Sequence, residues 1–190
     1  MVESAPAEQT KQGKQEALSA PLVGALLIAL VTAPVLLLDQ ATKLFIKSHL
    51  MLYESIPLIH NWFDITYTLN PGAAFSLFIS APGWFRSVLL IGLSSIAVVV
   101  LLILLLRIHE VGMNSIALAL ILAGAIGNLV DRLSRGLVVD FINLHYYSHS
   151  YPIFNVADSA ITIGVTLIVA HSIFFADKEP HKGTSSSSSP

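Results

Sequence analysis

Residues Gly124 to Ser159 read GAIGNLVDRLSRGLVVDFINLHYYSHSYPIFNVADS and join two long apolar runs. The stretch holds Asp131, Asp140 and Asp158, and two copies of Asn-x-x-Asp: Asn128 with Asp131, and Asn155 with Asp158. Residues spaced i, i+3 share one face of a helix. Both pairs abut a hydrophobic span, where an ionisable group costs about 2.5–3.5 kcal/mol at mid-membrane and marks function by default. The rest of the chain reads as a means of holding these acids together at a membrane surface.

Composition sets the class. Of 190 residues, 54% are hydrophobic and only 12% charged, against roughly 25% charged in an average soluble domain. That is the balance of an integral membrane protein, with a length that suits one domain. A formal net charge of -2 leaves no basic footprint, so no nucleic-acid partner is expected. There is no cysteine, which excludes disulfides and thiolate metal sites.

Met1–Ala20 is polar and poor in aromatics, the composition of a disordered tail, and it is too polar for a signal peptide. The single membrane-embedded domain is expected over 21–176, followed by a second disordered, Ser-rich tail over 177–190. The first apolar run, Pro21–Leu38, is about long enough to cross a bilayer. It ends on Asp39 and Lys43, an i, i+4 pair that spacing alone reads equally well as an interfacial ion pair closing the span. Phe63-Asp64-Ile65-Thr66-Tyr67-Thr68-Leu69 then alternates apolar and polar residues as a strand does, and Asn70-Pro71-Gly72 breaks it as a turn. Ile56–Ile59 is a candidate partner strand, confined to an edge by Pro57. Ala73-Ala74-Phe75-Ser76 follows the turn. Three more spans are expected: Val88–Leu106, anchored by Trp84, Phe85 and Arg86; Ser115–Val130, rich in the small residues that let helices approach; and Ile153–Phe175. The fold expected is therefore an α-helical polytopic membrane protein, with four transmembrane helices and a small β-sheet between helices 1 and 2. Four spans bring Asp39, Asn70, Asp131, Asp140 and Asp158 to one membrane face. Lys and Arg do not orient it: Lys11, Lys14, Arg107, Lys178 and Lys182 on one side balance Lys43, Lys47, Arg86, Arg132 and Arg135 on the other.

The inventory of reactive groups is short. The nearest approach to a Gly-x-Ser-x-Gly elbow, Gly92-Leu93-Ser94-Ser95, lies inside a span without a His partner. His145 and His149 are spaced i, i+4, but the Glu of His-Glu-x-x-His is missing, so no metal is expected. Carboxylates remain. Two acids held close share a proton, and one then serves as general base on water while the other acts as general acid. Such chemistry needs no cofactor. Arg132 and Arg135 favour an ionised, salt-bridged Asp131. Asp140, within Leu137-Val138-Val139-Asp140-Phe141-Ile142, and Asp158, at an apolar helix start, sit where burial disfavours the charged form. Asp140 and Asp158 are thus the better proton-sharing pair. Paired carboxylates would also suit a small ion or proton transporter, although the acids lie at one face and no inverted repeat is visible. A scaffold with every acid merely neutralised by a cation is the other alternative.

The ordered motifs Asp39-Gln-x-x-Lys43, Asn70-Pro-Gly72-Ala-Ala-Phe75-Ser76, Gly124-Ala-Ile-Gly127-Asn128-Leu-Val-Asp131-Arg132, Val138-Val-Asp140-Phe141 and Phe154-Asn155-Val-Ala157-Asp158-Ser159 resemble those of the bacterial lipoprotein signal peptidases (signal peptidase II) over Pro21–Phe175. Ala123 departs from the Gly of a Gly-Gly pair in many members, a small-for-small change. The resemblance implies a membrane aspartyl endopeptidase that cuts diacylglyceryl-modified prolipoproteins just before the lipidated cysteine. It implies a catalytic dyad of Asp140 and Asp158, with Asp39, Lys43, Asn70, Gly72, Asn128, Asp131, Arg132 and Asn155 binding substrate or bracing the dyad. It further implies an extracytoplasmic sheet forming a cradle over the site and inhibition by globomycin-type cyclic peptides. A monomer in the bacterial inner membrane is expected, with both termini cytoplasmic.

Overall fold

The computed structural model describes residues 19–72 and 82–175. The expected tails, apart from Ser19 and Ala20, and the Ala73–Ser76 segment lie outside the described residues. Among the described residues, four helices are long and apolar enough to cross a membrane. The first, α1, runs Ala20–His49 with a π-helical turn at Ile28–Thr32, where Thr32 Oγ1 donates to Ala119 O at 3.0 Å. The others are α2 (Gly83–Leu106), α3 (Met113–Arg135) and α4 (Val156–Phe175).

α1 is longer than its apolar run, Pro21–Leu38, and continues ten residues beyond Asp39. Its last turns stay helical because Ile46 and Leu50 are covered by Tyr67, Val139 and Phe141 of the sheet. Asp39 and Lys43 are 0% and 1% exposed, a buried pair inside a helix rather than a surface pair closing one.

The sheet is antiparallel, with strand order β1 (Ser55–Ile59), β2 (Phe63–Asn70), β3 (Val138–Tyr146) and β4 (His149–Ser150). The β1–β2 hairpin is the sheet expected between the first two helices. Pro57 occupies the edge strand, where its missing N–H is tolerated. The other half comes from the connection between α3 and α4. His145 and His149 accordingly sit on two paired strands, not on one helical face. Asp140 pairs with Thr68 of β2. Alternation along β2 turns Ile65, Tyr67 and Leu69 toward α1, while Asp64, Thr66, Thr68 and Asn70 face the other way.

α3 is the central helix: α2 and α4 both pack on it and hardly on each other. α3 and α4 approach closely through small residues. A Cβ on Gly124 would overlap the carbonyl oxygen of Ala157, and one on Gly164 would lie 2.7 Å from the carbonyl oxygen of Ala117. Gly136, at φ 74°, closes α3 in the left-handed conformation and turns the chain into β3.

Candidate active site

The start of α4 organises the site. Asn155 is its N-cap: Asn155 Oδ1 accepts the Asp158 N–H at 2.9 Å, and Asp158 Oδ2 accepts the Asn155 N–H at 3.3 Å. This is a reciprocal capping box, so the second Asn-x-x-Asp is a helix start and not two positions on a helical face. The cap leaves the Asn155 amide free to donate to Asp140 Oδ1 at 2.6 Å, Val139 O at 3.2 Å and Asn128 Oδ1 at 3.3 Å. Asn128 Nδ2 in turn donates to Asp158 Oδ1 at 2.7 Å. Two side-chain amides therefore join the Asp140 and Asp158 carboxylates.

Asn70 holds the other oxygen, donating from Nδ2 to Asp140 Oδ2 at 2.9 Å. Its own Oδ1 accepts the Gly72 N–H at 2.8 Å, an Asx turn that aims the amide. Gly72 has φ 91°, and a Cβ there would strike the Leu90 side chain, so the turn requires glycine. Asp140 is 1% exposed, and burial is the main cause that pushes its carboxyl up to about 6. The Asn70 hydrogen bond opposes the rise, the charge of Asp158 adds to it, and Asn155 and Lys43 oppose it.

Beneath this pair lies an ion network. Lys43 Nζ sits 2.8 Å from Asp39 Oδ2, 3.0 Å from Asp131 Oδ2 and 3.2 Å from Asn128 Oδ1, which uses all three of its protons. Asp131 also meets Arg135 at 2.6 Å and accepts the Val139 N–H at 3.2 Å, so it ties α3 to β3. Asp39 Oδ1 accepts the Ala157 N–H at 2.9 Å, placing a carboxylate at the N-terminus of α4. Gln40 Nε2 donates to Asp39 Oδ2 at 2.9 Å and to Gly127 O at 3.2 Å. Two buried acids and two cations balance, as buried charge must.

Asp158, Asn70, Asn128 and Arg132 stand at one end of a groove of about 790 Å³ between α2 and α4, floored by α3. Most of its length is apolar. Ile121 and Arg132 both line it, eleven residues and therefore about 16 Å apart along α3. Asp140 lies behind Asn70 and does not line it. Arg132 does not pair with Asp131. Its Nη1 reaches Ser94 Oγ and Asn128 O, each at 3.5 Å, and among the described residues it forms no ion pair.

All ten candidate residues converge on this region. The sequence named Arg135 only as a nearby cation, although i, i+4 from Asp131 was its signal. Gln40 and Phe154 stand in the ordered motifs without a role of their own, and Ser94 and Tyr151–Ile153 along the groove are placed only by the three-dimensional path of the chain.

A family profile described as signal peptidase (SPase) II matches residues 31–174. The lipoprotein signal peptidase of Syntrophus aciditrophicus (strain SB) is 46% identical over 151 residues, 78% of this chain and 93% of the relative. That of Geobacillus kaustophilus (strain HTA426) is 42% identical over 153 residues, 80% of this chain and 96% of the relative. A solved bacterial membrane enzyme, determined by the in meso method at 2.3 Å, superposes with a TM-score of 0.69 at 29% identity, covering 82% of this chain and 93% of the other.

Proposed function

Because the chain belongs to the signal peptidase II family, we propose that it cleaves diacylglyceryl-modified prolipoproteins just before the lipidated cysteine, with Asp140 and Asp158 as the catalytic dyad. The amide bridge from Asp140 through Asn155 and Asn128 to Asp158 is the observation that carries this reading. It ties Asp140, behind Asn70, to Asp158 at the polar end of an apolar groove, and such a groove is the shape an acylated peptide needs. The lipid chains lie between α2 and α4, and the peptide meets the dyad where α4 begins.

The pair shares one proton. The ionised member takes a proton from a water whose oxygen bonds to the scissile carbonyl carbon, and the protonated member gives its proton to the carbonyl oxygen. Collapse of the tetrahedral intermediate breaks the C–N bond and delivers a proton to the departing amine of the lipidated cysteine. The proton belongs to the dyad and not to one residue. Arg132, at the groove wall, offers donors to substrate oxygens, and Lys43 with Asp39 and Asp131 braces the carboxylates from below. On this reading the dyad faces away from the cytoplasm, both termini face into it, the enzyme acts as a monomer, and globomycin-type peptides occupy the groove.

A gel-shift assay in lipid with a diacylglyceryl-modified prolipoprotein tests the dyad. The expected result is cleavage by the wild type and a loss of at least about 10²-fold in both Asp140→Asn and Asp158→Asn, with all three proteins eluting as the same folded species. Full activity in either variant overturns the assignment.

A further inference from the structure

The sheet has a polar face, carrying Asp140, Thr68 and Thr66, and an apolar back. The back rests on α1 only in part, through Ile46 and Leu50. β1 reaches past the helix and leaves Ile56 43% and Leu58 57% exposed, facing Phe45 of α1, itself 59% exposed. Between them runs a second groove of about 610 Å³, lined by Thr42, Phe45, Ile46, Ile56, Leu58 and Phe141 among others. The Thr42 hydroxyl donates to Leu38 O at 2.7 Å within its own helix. The side chains of the other five are hydrocarbon, so the groove suits an apolar occupant and penalises a polar one.

Its height along α1 narrows the choice. α4 is 20 residues long, about 30 Å, which matches the hydrocarbon core, so its first turn marks one boundary of that core. Asp39 accepts a hydrogen bond from that first turn. Thr42 and Phe45 follow three and six residues later, about 5–9 Å further along the axis, where acyl chains meet headgroups. The groove also continues the exposed stripe of Leu37, Leu38 and Leu44 on a helix that crosses the membrane. An apolar edge strand standing in water would instead invite pairing with other chains.

We propose that this groove holds an acyl chain of a bilayer phospholipid, seating the back of the sheet in the adjacent leaflet. The seat sets the height of β3, and with it Asp140, relative to the membrane. It lies on the α1 side of the molecule, away from the groove between α2 and α4, and does not depend on which residues perform cleavage.

The absence of cysteine makes the test direct. Single-cysteine variants Leu58→Cys, Phe45→Cys and Ser55→Cys of the full chain are spin-labelled, reconstituted in phosphatidylcholine vesicles and checked for helicity by circular dichroism. Collisions with oxygen, which concentrates in lipid, are compared with collisions with a water-soluble nickel chelate. Labels at positions 58 and 45, on opposite walls of the groove, should favour oxygen several-fold over the label at position 55, which projects from the polar face. Nickel accessibility at 58 and 45 equal to that at 55 would mean that the sheet stands clear in water, and overturns the proposal. Shielding of both labels from both reagents would mean that protein, such as a second copy, fills the groove, and overturns it equally.

Discussion

The Asn155 side chain donates to Asp140 Oδ1 at 2.6 Å while its carbonyl oxygen caps the helix that carries Asp158. One residue thus sets the relation between a strand carboxylate and a helix carboxylate. The two duties separate by substitution. Asn155→Ser keeps a good N-cap but is too short to reach Asp140. Its turnover should fall about tenfold or more, the scale of one hydrogen bond to a charged group, with little change in melting temperature. Asn155→Ala should lose the same turnover and about 1 kcal/mol of stability as well. Steady-state kinetics alongside thermal unfolding in detergent distinguishes them.

Asp140 makes stability depend on pH in a stated direction. Its carboxyl stands near 6 in the fold, against about 3.9 for an unperturbed aspartate. Between these values the folded state binds more protons than the unfolded one, so stability falls as pH rises. The contribution is fully present below about pH 4 and is lost as pH passes through about 6, on the order of 2–3 kcal/mol in all. Asp140→Asn should lack this component. Melting curves of the wild type and Asp140→Asn from pH 4 to 7 should therefore diverge, with the wild type losing ground; parallel curves would sink the idea.

Lys43 neutralises two buried acids at once. Lys43→Met should cost about 3–5 kcal/mol, because it strands charge in the interior. Adding Asp39→Asn to it should recover part of that loss, which a double-mutant cycle of unfolding free energies would show as strong coupling.

Gly127 lets α3 pass close against the Asp39 carboxylate. A Cβ there would lie 2.5 Å from Asp39 Oδ2 and 3.2 Å from the Ala157 Cβ. Gly127→Ala should push Asp39 off the α4 terminus and impair both folding and cleavage. Gly92→Ala, with nothing within 4 Å of the new methyl, should be neutral or stabilise by up to about 1 kcal/mol. Expression level and melting temperature of the two variants make the comparison.

The spans were legible because a bilayer demands about twenty apolar residues in a row, and only composition has to be counted. The β1–β2 hairpin was legible because Phe63–Leu69 alternates and Pro57 names its own edge. β3 was not. Val138–Ile142 is nearly all apolar and shows no alternation, and the partner that makes it a strand, β2, lies some seventy residues earlier in the chain. The full length of α1 was not legible for a related reason. Asp39 and Lys43 end the apolar run, and nothing local shows that the helix continues past them, because Asp131, nearly ninety residues away, supplies the second acid that lets the lysine be buried.

Residue types and setting single out Asp140 and Asp158 as candidates, and the resemblance of the ordered motifs adds the other eight, since these are properties of the chain as written. Their connections belong to the tertiary structure. That Arg135 and not Arg132 pairs with Asp131, that Asn155 caps a helix and clamps a strand, and that Asp39 closes the end of α4 all depend on distances between segments. Hydrogen bonds and ion pairs form over about 3 Å, and only packing α1, α3, α4 and the sheet together brings those atoms within that reach.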